Sequence, residues 1–329
     1  DVKPFLRNIA LESAEVVFST LSSAARGAMG DSVASSGRAF DTVIVDEAGQ
    51  ATEASTLVPL QFGAQQLVLI GDPQQLPATV LSRAAAEAGL ERSLFARLVA
   101  AGHPVHLLDV QYRMHPAIAA FPSRHFYGGR VRDAPTVCGA HRSQAFHMHP
   151  LMGPLVMFNV QYGGVQQAAG GSSYSNPAEA STALQLLFAL MAWRGSRAAR
   201  EGEHVDAQGQ VPIQFSGSVG LFTPYDGQCR LLRSQYTQLL GAKQAQPGGS
   251  RLPSCTVDIS TVDAAQGQER DVVILSTVRA APAVAADSSD RKASIGFLRD
   301  TRRMNVAITR ARYALWVVGN VQALQSNPD

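Results

Sequence analysis

The feature that most constrains this chain is a series of short apolar runs that end in Gly, Asp, Ser or Thr and alternate with helical stretches. Such runs are typical of strands in a parallel sheet that is buried on both faces, because crossover helices cover each face. The predicted strands are Glu15–Ser19, Thr42–Asp46, Gln66–Gly71, Val105–Val110, Leu155–Val160, Val219–Thr223, Asp258–Thr261, Val272–Thr277 and Leu315–Gly319. The pattern therefore predicts an α/β fold.

The length and composition of the chain allow two domains. Its 329 residues, 46% of them hydrophobic and 16% charged, are enough to bury two cores. The amphipathic run Arg92–Ala101 predicts a helix, which the helix-breaking stretch 102–104 ends. We therefore predict one domain over residues 1–104 and a second over residues 105–329.

The longest predicted helix begins after Asn176. A proline follows this residue and Glu179 stands three positions on, which is the pattern of an N-cap with a glutamate that reaches back to the cap. The helix is predicted to run to about Trp193. The stretches Tyr162–Asn176 and Ala280–Ser294 are predicted loops.

Cysteine usage, histidine spacing and charge weigh against several classes of protein. Cys138, Cys229 and Cys255 form no CxxC pair, and no HExxH pair occurs, so neither a disulfide framework nor a zinc site is expected. No apolar run approaches the ~20 residues of a membrane span, so no membrane partner is expected. A net charge of +2 is too small to indicate a nucleic-acid partner by itself. A reduced, intracellular location is the expectation.

Two adjacent carboxylates, Asp46 and Glu47, stand at the end of a fully apolar run. In open α/β sheets, ligands bind outside the carboxyl ends of the strands. An Asp at such a position can hold Mg²⁺, usually through water, and a neighbouring Glu can activate the attacking water. The plainer interpretation of the pair is a solvated turn.

Gln75 follows the next predicted strand, within the stretch Gly71-Asp72-Pro73-Gln74-Gln75-Leu76-Pro77. Its neutral amide can accept a hydrogen bond from a nucleophilic water and donate one to a terminal phosphate. The alternative is a surface turn bounded by prolines.

Six stretches, in a fixed order along the chain, carry a resemblance to one family. They are Asp46–Glu53, Gly71–Val80, Gln111–Pro116, Thr223–Gln228, Thr261–Glu269 and Arg302–Arg312. In order and spacing they are similar to the motifs of superfamily-1B helicases of the senataxin and nonsense-mediated-decay type. The resemblance implies two RecA-like domains with mostly parallel sheets, the first of them incomplete, with ATP and Mg²⁺ as ligands.

The resemblance also implies roles for single residues. Asp46 would hold the magnesium ion, Glu47 would activate water and Gln75 would sense the γ-phosphate. Arg113 and Arg310 would act as arginine fingers, which stabilise the charge that builds on the phosphate oxygens during transfer.

Two further residues would meet the nucleotide, Glu269 at the sugar and Gly267 by letting the backbone come close. Plainer interpretations of the arginines stay open. Arg113 would then cap a helix, and Arg310 would lie on the solvated face of an Arg-rich helix.

Candidate contacts to a nucleic-acid backbone are Ser19, Thr20, Thr223, Pro224 and Thr261. They supply hydroxyls and backbone amides near helix starts, which suit phosphates without reading bases. The same residues are ordinary helix caps. The resemblance favours single-stranded RNA or DNA as the partner, RNA first, and a location in the nucleus or cytoplasm, with no protein partner indicated.

One expected element is absent from the sequence. No stretch has the form GxxxxGK[ST], the loop that cradles phosphates in such motors, and no Gly-Lys dipeptide occurs. Because the other motifs are intact, we expect the chain to be a fragment of a longer protein; the alternative is a relative that has given up hydrolysis. The predicted function is an ATP-dependent helicase motor that is hydrolysis-deficient as this chain alone. The competing prediction is a non-catalytic nucleic-acid-binding or interaction module.

Overall fold

A computed structural model of the chain describes residues 6, 9–11, 13–24, 40–167, 173–198, 217–244, 255–279 and 300–325. The chain divides into two compact units, residues 1–107 and 108–329. The predicted boundary near residue 104 lies just before this division. The predicted loop Ala280–Ser294 lies outside the described residues.

Strands and helices alternate along both units. The strands are β1 (Thr42–Val45), β2 (Gln66–Leu69), β3 (Val110–Gln111), β4 (Arg132–Asp133), β5 (Leu155–Asn159), β6 (Gln166–Gln167), β7 (Tyr174–Ser175), β8 (Ser218–Thr223), β9 (Thr256–Thr261), β10 (Arg270–Ser276) and β11 (Ala311–Gly319). The α-helices are α1 (Leu21–Ala24), α2 (Glu53–Leu57), α3 (Arg83–Glu87), α4 (Leu94–Ala100), α5 (Pro116–Phe126), α6 (Pro177–Ala198), α7 (Asp226–Gln244), α8 (Thr301–Ile308) and α9 (Val321–Gln325). Short 3₁₀ turns occupy Ala48–Gln50, Val58–Phe62, Pro135–Val137, Gly139–His141 and Ala145–Met148.

The first unit contains the parallel pair β1 and β2, with Thr42 opposite Gln66. Both strands were predicted, and both are confirmed. The predicted strand Glu15–Ser19 is wrong, because the described residues there form no strand. An apolar run becomes a strand only where a neighbour satisfies its backbone hydrogen bonds, and in the described part of the chain none pairs with this run.

Two further expectations for the sheets are also not met. Of the predicted strand Val105–Val110, only the last residue is extended and paired, in the short parallel pair of β3 with β4. Burial on both faces also fails for the first unit, where Ile44 at the exposed face of β1 is 63% accessible.

The second unit is built on a five-stranded sheet in the order β5-β11-β10-β8-β9. Every neighbouring pair in it is parallel. All five of its strands were predicted from the sequence, so the α/β class is confirmed. Because the strands are parallel, their carboxyl ends share one edge of the sheet and their amino ends share the other.

The core of the second unit lies where α6 packs on the central strands. Val272 and Ile274 on β10 and Trp316 on β11 are buried against Leu187 and Leu190, which share one face of α6. Burying each such side chain contributes roughly 1.5–3 kcal/mol. None of the described helices is long and apolar enough to cross a membrane.

The amino end of α6 is joined to the sheet by a buried carboxylate. Asn176 caps the helix as predicted, since its Oδ1 accepts from the Glu179 backbone nitrogen at 3.2 Å. The prediction that Glu179 reaches back to the cap backbone is wrong: the Asn176 nitrogen donates to Gln228 Oε1 instead, at 2.8 Å. The Glu179 Oε2 accepts from Ser276 Oγ and the Val278 nitrogen, each at 2.8 Å. Burial raises the pKa of Glu179 to about 7.

The raised pKa of Glu179 predicts that the free energy of unfolding depends on pH. The folded protein keeps the Glu179 proton between pH 4.5, the ordinary pKa, and about 7, whereas the unfolded chain releases it. The contribution of Glu179 to the free energy of unfolding therefore falls as the pH rises through that window, by roughly 3 kcal/mol. A glutamine is neutral at every pH, so the stability of Glu179→Gln relative to the wild type should rise across the window.

Urea unfolding followed by tryptophan fluorescence measures this difference, because both tryptophans, Trp193 and Trp316, belong to the second unit. A stability difference between variant and wild type that does not change with pH would contradict the prediction.

Candidate functional site

In the first unit, Asp46 and Glu47 follow β1 and are exposed. Glu47 adopts a left-handed backbone (φ 51°, ψ 38°), which is uncommon for a residue other than glycine. Its backbone nitrogen donates to Asp46 Oδ1 at 2.9 Å, and Gln50 Nε2 donates to Glu47 Oε2 at 2.9 Å. The turn thus holds both carboxylates in defined positions at the protein surface.

The loop that carries Gln75 lies against this turn. The Ala48 nitrogen donates to the Ile70 carbonyl at 2.7 Å, and a Cβ added at Gly71 would stand 2.8 Å from the Gly49 nitrogen. Glycine at position 71 is therefore required for the close approach of the two loops. The first unit brings Asp46, Glu47 and Gln75 onto neighbouring loops at the carboxyl ends of β1 and β2.

Asp72 orients Gln75, a role that the sequence analysis missed. Its Oδ2 accepts from Gln75 Nε2 at 2.9 Å, and its Oδ1 accepts from the Gln74 nitrogen at 2.9 Å. The signal was present in the sequence, because an Asp before Pro commonly hydrogen-bonds the backbone two residues on.

In the second unit, Arg113 pairs with Glu269. The Arg113 Nε donates to Glu269 Oε2 at 2.9 Å, and its Nη1 donates to the Thr309 carbonyl at 3.2 Å. The interpretation of Arg113 as a helix cap is wrong, because His115 caps α5 by accepting from the Ala117 nitrogen at 3.0 Å through Nδ1. Arg113 therefore belongs to a charged cluster.

Arg310 lies in the turn between α8 and β11 and is 3% exposed. Its placement on the solvated face of a helix is therefore wrong. The Nε donates to the Val306 carbonyl at 3.0 Å and Nη2 donates to Thr309 Oγ1 at 2.9 Å. The guanidinium thus satisfies a carbonyl at the carboxyl end of α8, where a positive charge is favourable.

Arg142 supports the loop that carries Arg113. It is nearly fully buried, and it donates to the Arg113 carbonyl at 3.0 Å and to the Tyr112 carbonyl at 2.9 Å. Gln111 Oε1 accepts from the Arg113 nitrogen at 2.9 Å. No motif includes Arg142, so sequence reasoning had no signal for it.

A pocket of about 420 Å³ opens beside this loop. Its lining residues are Gln111, Tyr112, Arg113, Met114, Arg142, Glu269 and Arg312. Because three arginines and one glutamate line the pocket, its lining side chains carry a net positive charge, which suits an anionic ligand.

Gly267 and Arg312 complete the surroundings of Glu269, the first in the turn that leads into β10 and the second on β11. Gly267 has φ 74°, and a Cβ there would meet no atom within 4 Å, so glycine serves the left-handed turn. Arg312, on β11, lies 3.8 Å from Glu269 and 3.4 Å from the buried carboxylate of Asp271. The helix expected around Arg310 thus ends before Arg312, which lies on a strand.

The predicted nucleic-acid residues of the second unit lie at the other edge of the sheet. Thr223 ends β8 and Thr261 ends β9, at the carboxyl edge, whereas Glu269 and Arg310 stand at the amino ends of β10 and β11. The sheet thus separates two groups of candidate residues.

The hydroxyl groups of these threonines are not equivalent. Thr261 Oγ1 accepts from the Ala264 nitrogen at 3.3 Å, as a cap does. Thr223 is fully buried, and within the described part of the chain its hydroxyl has no partner. Pro224, the next residue, is half-buried.

The candidates in the first unit form a helix start. Thr20 Oγ1 accepts from the Ser23 nitrogen at 3.2 Å, so the cap interpretation is confirmed for Thr20. Ser19 Oγ donates to the Thr20 carbonyl at 3.0 Å and is exposed.

Two family models, each described as an AAA domain, match this chain, one over residues 90–322 and the other over residues 2–83. Helicase SEN1 of Saccharomyces cerevisiae is 36% identical over 95% of this chain and 12% of its own length. Probable helicase MAGATAMA 3 of Arabidopsis thaliana is 36% identical over 98% of this chain and 35% of its own length. ATP-dependent helicase NAM7 of Saccharomyces cerevisiae is 37% identical over 88% of this chain and 26% of its own length.

The chain therefore spans about a third or less of each of these relatives. Among solved structures, the PRRSV helicase is 14% identical, with a TM-score of 0.39 over 88% of this chain and 38% of that chain. A likeness at this level carries no weight for function.

The role of Arg142 yields a stability prediction. Arg142→Leu leaves two backbone carbonyls of the Arg113 loop without their donor, which should lower the free energy of unfolding of the second unit by roughly 2 kcal/mol. The matched control is Arg132→Leu, which removes an arginine that is 70% exposed and paired with Asp109. Its expected cost is at most about 0.5 kcal/mol. Urea unfolding measures both, and equal costs would show that Arg142 supports nothing.

Proposed function

Because this chain belongs to the superfamily-1B helicases of the senataxin and nonsense-mediated-decay type, we propose that it is the core of an ATP-dependent motor that moves along single-stranded nucleic acid. One observation carries the proposal: Arg113 and Arg310, far apart in sequence, both donate to Thr309, at 3.2 Å to its carbonyl and at 2.9 Å to its hydroxyl. Arginine side chains that converge on one point can stabilise the charge that develops on a leaving phosphate.

The first unit would supply the groups that act on water and metal. Asp46 would hold Mg²⁺, which neutralises phosphate charge when bound, and its exposed carboxylate at a strand end fits that ion. Glu47, kept in place by Gln50, would orient and deprotonate the attacking water. Gln75, oriented by Asp72, would sense the γ-phosphate.

The second unit would supply positive charge. Arg113 is bonded to Glu269 and Arg310 to the end of α8, so a nucleotide would have to replace these contacts with bonds to phosphate. Glu269 would meet the sugar, and the turn at Gly267 would place it there. The charge of the two guanidinium groups then acts when the γ-phosphate leaves.

The strand of nucleic acid would lie at the carboxyl edge of the second sheet. Backbone amides beside Thr223, Pro224 and Thr261 would bind phosphates, as would Ser19 and Thr20 in the first unit. RNA is the favoured partner, because one relative, 37% identical to this chain, is named a regulator of nonsense transcripts. The proposed location is the nucleus or the cytoplasm.

A second candidate function is a nucleic-acid-binding module without catalysis. It is favoured by the absence of any Gly-Lys dipeptide from this sequence, because a P-loop lysine neutralises the phosphates. We propose that this chain alone does not hydrolyse ATP. Ile44 on β1 and Ile70 just after β2 are exposed large apolar side chains, and in a parallel sheet such a surface is normally covered by crossover helices.

Binding to a single strand tests the proposed function on the chain itself. If phosphates are gripped by cations and amides, the affinity for a labelled oligonucleotide should fall linearly with salt on logarithmic axes and should change little with base sequence. Fluorescence anisotropy measures both. No binding in low salt, or binding that ignores salt, would contradict the proposal.

The arginine-finger role is tested in a form of the protein that carries a Gly-Lys-Thr loop. Arg310→Ala should reduce nucleic-acid-stimulated ATP turnover by at least ~10²-fold, which is less than the full finger effect because Arg113 remains. Nucleotide affinity should change little, because the loop and Mg²⁺ make most ground-state contacts.

The matched control for this test is Arg132→Ala, which removes an exposed arginine and should leave turnover unchanged. If Arg310→Ala retains normal turnover, or loses it only by unfolding, the helix-end bonds of Arg310 are its whole role.

A further inference from the structure

A cluster of two tyrosines and one arginine stands beyond the carboxyl ends of β8 and β10. The guanidinium of Arg279 lies over the Tyr174 ring, 4.2 Å from its centre, and 5.4 Å from the centre of the Tyr225 ring. Its Nε donates to the Tyr225 hydroxyl at 2.8 Å. The two rings meet edge to face, with centres 5.5 Å apart. All three side chains are half-buried.

The cluster rests on a buried polar network. Gln228 Nε2 donates to the Asn176 carbonyl at 3.2 Å and to Ser276 Oγ at 3.0 Å, which ties α7 to the start of α6 and to the end of β10. The same Ser276 hydroxyl donates to Glu179. Tyr174 and Tyr225 lie within three residues of members of this network, so their backbones are fixed in position.

The backbone before Arg279 is also held in a conformation of high energy. Val278 has φ 71°, in the left-handed region that β-branched residues avoid. Its nitrogen donates to Glu179 Oε2 at 2.8 Å, and its carbonyl accepts from Asn176 Nδ2 at 3.1 Å. Such a conformation persists only where the surroundings impose it, and it is common at ligand sites. Here it places Arg279 over the tyrosine.

Stability alone does not explain this arrangement. A cation–π pair at a half-exposed position contributes little to folding. Within the described part of the chain, the two terminal nitrogens of Arg279 make no hydrogen bond. A guanidinium stacked on one ring, with its outer nitrogens unbonded, is arranged to meet a planar or anionic ligand.

We propose that Tyr174, Tyr225 and Arg279 form a stacking subsite for one base of a single-stranded nucleic acid, with the outer nitrogens of Arg279 directed to the adjoining phosphate. This inference rests on the proposed function and adds a base contact to it. Aromatic rings and guanidinium planes take bases of a single strand, because every base has a π-face and is free to leave its neighbours. The stacking is tolerant of sequence, as a moving motor requires.

The test is fluorescence anisotropy of the full chain with a labelled oligouridylate of ~12 nucleotides, and with the same backbone made abasic. Tyr174→Leu should weaken binding of the oligouridylate about tenfold, whereas Tyr174→Phe, which keeps the ring, should bind within about twofold of the wild type. Arg279→Lys keeps the charge but loses the planar group, so it should also bind more weakly. The control Arg132→Ala should bind normally, since that arginine is exposed and lies on β4.

The wild type should prefer the oligouridylate to the abasic strand, and Tyr174→Leu should lose that preference. Equal affinity of wild type, Tyr174→Leu and Arg279→Lys for the oligouridylate would overturn the subsite alone. Failure of the wild type to bind either strand in low salt would overturn the proposed function and the subsite with it. If Tyr174→Leu has a lowered melting temperature, the Arg279→Lys variant is used in its place. The stacking role is then refuted if Arg279→Lys binds the oligouridylate normally and the wild type binds the oligouridylate and the abasic strand equally well.

Discussion

Parallel pairing of the five strands in the second unit is the constraint on which its candidate sites depend. It places every carboxyl end at one edge and every amino end at the other. The threonines that end β8 and β9 are thereby kept apart from Glu269 and Arg310, which begin β10 and β11. The sheet thereby provides two separate edges, one for each group of candidate residues.

The two edges are built by different physical means. At the amino edge, arginines are held by carbonyls and carboxylates, as where Asp271, fully buried, lies 3.4 Å from Arg312. Their guanidinium groups donate to acceptors within the protein, and a bound anion can take the place of these acceptors. At the carboxyl edge, a buried network of neutral amides and the Glu179 carboxyl holds the backbone, and two tyrosine rings and one guanidinium lie half-buried beside it. Under the proposed function, that edge would bind the backbone of a nucleic-acid strand and its bases.

Features that depend on residues close together in the sequence could be predicted, whereas contacts between distant residues could not. The core strands β5, β10 and β11 were predicted from continuous apolar runs, and the cap at Asn176 because it lies within one turn. The stretches Glu15–Ser19 and Val105–Val110 also contain apolar residues in a row, but strand formation depends on partners distant in sequence. Arg142 and the packing of Arg279 on Tyr174 were missed for the same reason, since neither contact is local.

The separation of the two edges is tested most directly by amide hydrogen exchange of this chain with and without a single-stranded oligonucleotide. Bound nucleic acid should slow exchange after β8 and β9, at residues 223–227 and 261–265. It should leave residues 268–270 and 309–312, at the amino edge, unchanged. Protection confined to the amino-edge residues would contradict the account, because the strand would then occupy the arginine cluster proposed for the nucleotide.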